Sequence, residues 1–253
     1  MAKAEGNRGL IAVSIVVYLV CLIALTPLSV VHKFLAPENL PVEVVAVSGT
    51  LWKGEVVLKH PMTGQISSMW SIYPMALIKG QVKADLEVDS SLAQFTSQVA
   101  FNPLTNQVAF NETNGFVSAN LVNKALVQSK TQVNGDFELS DTHLEYNLTT
   151  GESDEASGQV VWMGGNVVYP KGRKHAQAEL PMLVAKITTE NKELLANVST
   201  VEGQQLATAS IKKDGWANLA VRKAMIDLVG EKWPNKVSSD TVVFEVSERV
   251  FTR

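Results

Sequence analysis

From Leu10 to Val31 no side chain carries a charge: LIAVSIVVYLVCLIALTPLSVV. As a helix rising about 1.5 Å per residue this run extends roughly 33 Å, against a hydrocarbon core of about 30 Å. The hydroxyls of Ser14, Thr26 and Ser29 can bond back to helix carbonyls. Pro27 falls in the last two turns, where a kink costs little. The rival reading is a cleaved signal peptide, whose apolar core normally spans about 7–15 residues and ends in a small-x-small cut site. Here the core is longer, and Pro27 stands beside the only plausible cut. The run therefore reads as an uncleaved, single-pass transmembrane helix, residues 10–31, preceded by a short cytoplasmic N-terminus, residues 1–9. Lys3 and Arg8 before it, against His32 and Lys33 after it, give a slight bias toward that orientation.

An anchor of this kind leaves about 220 of the 253 residues to fold outside the bilayer. Ala36-Pro37-Glu38-Asn39-Leu40-Pro41 is stiff and extended, so residues 32–41 read as a linker. Beyond it apolar residues alternate: Val42, Val44 and Val47, then Val82, Ala84, Leu86 and Val88, bounded by Gly, Pro, Asn and Asp. Similar short runs occur at 94–101, 132–139, 143–149, 183–189, 194–201, 204–211 and 241–246. Runs of roughly 5–8 residues suit half-buried strands of an antiparallel sheet. One segment reads as a helix: from Ala217 to Val229, Val221, Ala224, Met225, Leu228 and Val229 share a face, and Gly230 follows as a C-cap. The fold class is mainly β: a curved, largely antiparallel domain with short helices.

The chain also resembles itself. Ser48-Gly49-Thr50-Leu51-Trp52-Lys53-Gly54 is similar to Ser157-Gly158-Gln159-Val160-Val161-Trp162-Met163-Gly164, with one residue inserted. Asn114-Gly115-Phe116 precedes Lys124-Ala125-Leu126 much as Asp214-Gly215-Trp216 precedes Lys223-Ala224-Met225. Two matches in the same order argue for two related β halves, 42–150 and 151–253, the second ending in a short helix and a final strand. The polar stretch from Thr150 to Ser157 reads as the loop between them, and Trp52 and Trp162 as equivalent buried anchors.

Chemistry is hard to find. Net charge is −3 and no long basic run occurs, which gives nucleic acid no electrostatic footprint. The one cysteine, Cys21, lies in the apolar segment, so no intrachain disulfide can form. His32, His60, His143 and His175 are scattered singly. Asp141-Thr142-His143 can be drawn as a base with its orienter, but on an alternating strand the two outer side chains are ordinary neighbours. There is no nucleophile elbow, phosphate loop, dinucleotide fingerprint or His-Glu-x-x-His. Gly164-Gly165-Asn166 reads as a turn between strands, and Asp154 with Glu155 as a solvated face. The triplets beginning at Asn111, Asn147 and Asn197 match the glycosylation pattern at a chance rate. Trp52, Trp70, Trp162 and Trp216 are either core or an exposed binding surface, and burial trends favour core. No catalytic, cofactor-binding or metal-ligating residue is assigned; the expectation is a protein that is not an enzyme.

The run Val47-Ser48-Gly49-Thr50-Leu51-Trp52-Lys53-Gly54, shortly after a single anchor, resembles the general (type II) secretion pathway protein N family. Trp70-Ser71-Ile72-Tyr73-Pro74 leading into Leu77-Ile78-Lys79-Gly80, and the closing Gly215-Trp216, are also similar. The resemblance implies a component of the inner-membrane platform that exports folded proteins through the outer membrane of Gram-negative bacteria. It implies a periplasmic β domain, with platform proteins C, L and M and the secretin, protein D, as partners. The other class left open is an AsmA-like envelope module that handles lipid or another apolar ligand in a β groove. A filled inner face of the sheet supports the first reading and an open apolar trough the second. The paired Trp sites lead to the expectation of a filled core without bound lipid.

Overall fold

The computed structural model describes Tyr18 and residues 26–30, 42–61 and 63–249. Most of the 10–31 segment and the 32–41 linker lie outside the described residues; among those described, no helix is long and apolar enough to cross a membrane. The fold is mainly β and antiparallel, as the alternation predicts.

Thirteen strands form one sheet. In its first part lie β1 (Glu43–Gly49), β2 (Lys53–His60), β3 (Gly64–Ile72), β4 (Val82–Ser90), β5 (Ala93–Asn102) and β6 (Gln107–Val117). After β7 (Gln132–Val133), which leaves this sheet, come β8 (Phe137–Asn147) and β9 (Ser153–Trp162). Then β10 (Gly165–Lys171) and β11 (Lys174–Leu180) pair with β7 in a separate three-stranded sheet. The large sheet resumes with β12 (Leu183–Glu190), β13 (Glu193–Thr200), β14 (Gln205–Ile211), β15 (Trp216–Arg222) and β16 (Val242–Arg249). Its order is β1-β2-β3-β4-β5-β6-β8-β9-β12-β13-β14-β15-β16, so β1 and β16 end it and the sheet does not close. Within residues 63–249, the short helices α1 (Pro74–Leu77), α2 (Ala119–Ala125) and α3 (Lys223–Leu228) lie at strand ends.

Register explains why the alternation is so regular. Cross-strand partners share a face. Following them from Trp70 through Leu86 and Ser97, and from Val88 through Phe95 to Gly115 and Leu139, stays on one side of the sheet. That side continues through Val160, Ala185, Val198, Ala207 and Val221 to Phe244. The opposite side carries Glu55, Glu87, Thr96, Asn114 and, further on, Gln159, Lys186, Asn197 and Thr208. One face is mainly apolar, interrupted by Ser68, Ser97 and Thr113, and the other mainly polar, though it carries Met69, Phe116 and Val161.

The apolar face is filled at one end only. Trp162, Leu180, Leu183, Leu206 and Ala224 form a buried cluster, with Phe137, Val167, Val198 and Met225 packed against it. The small sheet and α3 supply the cover. Toward β2–β6 the apolar residues, among them Val56, Leu86, Val88 and Val99, are half-buried. The expectation of a uniformly filled core therefore holds only for the cluster around Leu206 and Ala224: an apolar groove stays open beside Trp162, and the rest of the face is half-buried.

Three readings of the sequence need correction. The helix expected from Ala217 to Val229 is a strand through Arg222 and a helix only from Lys223 to Leu228. Strand β15 is held by partners on both sides, β14 and β16, and that pairing overrides the helical spacing of its apolar residues. The polar stretch 150–157 is loop only as far as Glu152; Ser153 opens β9 and is buried, and β8 pairs with β9 across the connection. The two similar runs adopt different conformations. Gly49 ends β1 and Thr50–Trp52 form a turn, whereas Ser157–Trp162 continue within β9. Trp52 is half-buried and Trp162 buried, so they are not equivalent anchors.

Candidate interaction surfaces

The Gly49–Gly54 run builds a corner. Gly49 has φ +85°, and a Cβ there would stand 2.4 Å from the Lys53 carbonyl oxygen, so only glycine lets the chain reverse this tightly. Thr50 N–H donates to that carbonyl at 2.9 Å. Gly54 lies beneath Trp70, whose ring would be 2.7 Å from an added Cβ, and beneath Leu28. The Trp70 Nε1–H donates to the Leu51 carbonyl at 3.0 Å. Pro27 bridges to Thr50, and Leu28 is buried. The corner thus grips the end of the charge-free segment and ties it to the first strands of the sheet.

Beside this corner is a cleft of about 720 Å3. Glu55, Asp85, Glu87 and Glu112 line it, with Lys53 and Met69. Ser67 donates to Glu55 at 2.8 Å, and the Tyr73 hydroxyl donates to Asp85. That bond to a carboxylate pushes the Tyr73 phenol above its ordinary pKa. Four carboxylates against one lysine give the cleft a negative field.

At the other end a second cavity, about 250 Å3, lies between the two sheets around Trp162. The Trp162 Nε1–H is turned away to the carbonyls of Asn134 and Gly135, at 2.8 and 3.1 Å. The small sheet is tied down from outside by Glu231, which accepts from Lys171 at 2.6 Å and from the Tyr169 hydroxyl at 3.1 Å. The Lys171 bond holds the Glu231 carboxyl below the usual range, and burial followed by the bond to Glu231 pushes Tyr169 up. A similar tie joins β9 to the β12–β13 turn and β6: Asp154 accepts from Lys192 at 2.5 Å and from Gln107 at 2.9 Å. Sequence reasoning took Asp154 as a solvated acid and missed both ties, whose partners are 38 to 62 residues apart.

Asp141-Thr142-His143 serves the sheet's bend. Glu112 and Asp141 both have positive φ, 50° and 45°, and the β6–β8 register shifts around Glu112 while the β8–β9 register shifts around Asp141. His143 Nδ1 lies 2.8 Å from Asn111 Oδ1, and the Asp141 N–H donates to Asn114 at 3.0 Å. These bonds stitch neighbouring bulges together, which is how a long sheet curves. Opposite them Gly158, φ +130°, leaves the space that buried Thr142 fills. Met163 and Gly164 join β9 to β10; Gly165 and Asn166, which the sequence placed in the turn with Gly164, already belong to β10 and pair with Leu180 and Glu179. Among the described residues no three His, Cys, Asp or Glu side chains gather as a metal site.

A long, open, antiparallel sheet with one mainly apolar and one mainly polar face, carrying clefts and cross-sheet ties, defines a β-rich protein. The chain belongs to the type II secretion system protein N family, whose model matches residues 41–227, from the start of the sheet into α3. Comparison with curated proteins and with solved structures gives no match. The resemblance carried by the Gly49–Gly54 run is thereby confirmed, and the chain takes part in type II secretion in the cell envelope, with other components of that system.

Proposed function

We propose that this chain is a non-enzymatic, single-pass component of the inner-membrane platform of type II secretion. Residues 10–31 span the membrane with residues 1–9 in the cytoplasm, and the sheet stands in the periplasm as two consecutive parts, 42–150 and 151–253. The family match over 41–227 is the observation that carries the reading. The grip of the Gly49–Gly54 corner on Pro27 and Leu28 supports it, because a sheet tied to the end of the charge-free run sits against the bilayer surface. From there the polar face and the acidic cleft can meet platform proteins C, L and M, and the secretin, protein D, where these present cationic segments.

The test is to solubilise the tagged full chain from its native membrane and identify what co-purifies by mass spectrometry. Recovery of platform proteins or the secretin, reduced when Glu55 and Glu87 are changed to Lys in a folded chain, is the expected result. Recovery of none of them, with phospholipid retained throughout, would overturn the platform reading in favour of an AsmA-like module.

A further inference from the structure

The cavity beside Trp162 is lined by apolar side chains alone. Val133 and Val167 of the small sheet form one wall; Phe137, Trp162, Leu183 and Val198 of the large sheet form the other. The one polar atom of Trp162 is already committed to backbone carbonyls. The space is an open groove rather than a sealed cavity, and its wholly apolar lining gives water nothing to bond to, so covering it with an apolar occupant is favourable.

Two further observations say which occupant. First, the cavity belongs to an apolar face that continues through Leu139, Gly115 and Phe95 toward the corner that grips Leu28, the end of the charge-free segment. Phe95, Val88, Leu86 and Trp70 carry the face on to the corner beside Ser68 and Ser97, so hydrocarbon leaving a bilayer there meets a mainly apolar track. Second, the small sheet that walls the cavity ends in a basic hairpin. Lys171 and Lys174 face each other across β10 and β11, with Arg173 in the turn and His175 next along. Lys171 is held by Glu231, while Arg173 and Lys174 are exposed. Val167 and Lys171 are four steps apart on β10, about 13 Å along a strand. An occupant that is apolar in the cavity and anionic about one such length away matches both ends.

We propose that the cavity binds an acyl chain of an anionic membrane phospholipid, with its phosphate at the Arg173–Lys174 turn. A peptide could fill the cavity with one apolar side chain, but its backbone polar groups would then lie unpaired on the apolar track, which is costly. A lipid has no such groups along its chain.

The test reconstitutes the full chain in vesicles of phosphatidylethanolamine containing phosphatidylglycerol with a photoactivatable diazirine midway along one acyl chain. Cross-linked peptides are mapped by mass spectrometry. The expected result is cross-links on the strands that bear Phe137, Trp162, Leu183 and Val198, in addition to those in residues 10–31. Filling the cavity by Ala185→Trp, or independently by Val198→Phe, should abolish the first set and leave the second, with circular dichroism confirming the fold. Arg173→Glu with Lys174→Glu should lower cavity labelling by the anionic probe more than labelling by a phosphatidylcholine probe. Native-chain cross-links confined to residues 10–31 would overturn the proposal whatever the variants do. So would cross-links on the cavity strands that persist in folded filled variants, or capture of a polypeptide rather than lipid by a photoreactive residue at position 185. Equal labelling by the two probes would overturn the headgroup assignment.

Discussion

Phe137 and Trp162 face each other across β8 and β9, their ring centroids 6.3 Å apart and their planes 26° from parallel. The pair stands where the large sheet gives off the small one: β7 lies just before Phe137 and β10 just after Trp162. Trp162 also bonds to the backbone at Asn134 and Gly135, the link between β7 and β8. One side chain thus fixes the large sheet, the small sheet and their connection, while adding aromatic stacking of about 0.5–1.5 kcal/mol.

Trp162→Ala should therefore destabilise the domain by roughly 3–5 kcal/mol and lower its steady-state abundance. Trp52→Ala removes a half-buried ring and should cost clearly less. Trp216, 40% exposed, should matter least. Denaturant titration and immunoblotting of the three variants check the order. Equal losses at Trp52 and Trp162 would restore the equivalence that the sequence alone suggests.

Gly158→Ala places a methyl 2.5 Å from Thr142 Oγ1 and 2.7 Å from its Cα, at a backbone φ of +130°. Overpacking of this kind costs about 1–3 kcal/mol. Gly172→Ala, at the tip of the basic hairpin with nothing within 4 Å, meets only the strain of positive φ. Thermal melts should rank Gly158→Ala well below Gly172→Ala.

Much of this architecture is legible in the sequence because each strand has one apolar face: Val82, Ala84, Leu86 and Val88 alternate and all lie in β4. Where two periods compete, local reading fails. Val221 fits both the helical stripe to Val229 and the alternation Ala217, Leu219, Val221, and pairing with Ala207 and Phe244 decides for the strand. The turn at Gly49 and the strand at Gly158 begin with the same Ser-Gly pair, yet their neighbours in space differ. The candidate surfaces were least legible. Glu231 reaches Tyr169 and Lys171 across about sixty residues of chain, and no local pattern in sequence encodes that meeting.

Acid should loosen the sheet. The Lys192 bond, and then the Gln107 bond, hold the Asp154 carboxyl below its ordinary pKa. Glu231 is lowered in the same direction, first by Lys171 and then by Tyr169. A group whose pKa is lower folded than unfolded contributes fully above its unfolded value, about 3.9 for Asp, and loses that contribution as pH falls through the folded value. Lys192 and Lys171 are raised by the same bonds, so their share is present below about pH 10.4 and is lost as pH climbs through the higher folded value. Denaturation midpoints should drop below about pH 4, and Asp154→Asn should make that acid limb shallower. An unchanged limb would remove Asp154 from the account.

The anchor makes a prediction about mass and location. The mature chain should retain Met1 or Ala2, and a reporter fused after Arg253 that needs an oxidising compartment should be active. A mature N-terminus between residues 25 and 40 would contradict an uncleaved anchor. An inactive C-terminal fusion on a stable protein would contradict the orientation.

Export itself is the most direct measure of the central claim. In a Gram-negative host that uses this system, the gene for the chain is deleted and the distribution of a folded exoprotein between periplasm and medium is followed. The exoprotein should accumulate in the periplasm, and the full-length chain, but not Trp162→Ala at its reduced abundance, should restore it to the medium. Unchanged export in the deletion strain would contradict a role for this chain in type II secretion.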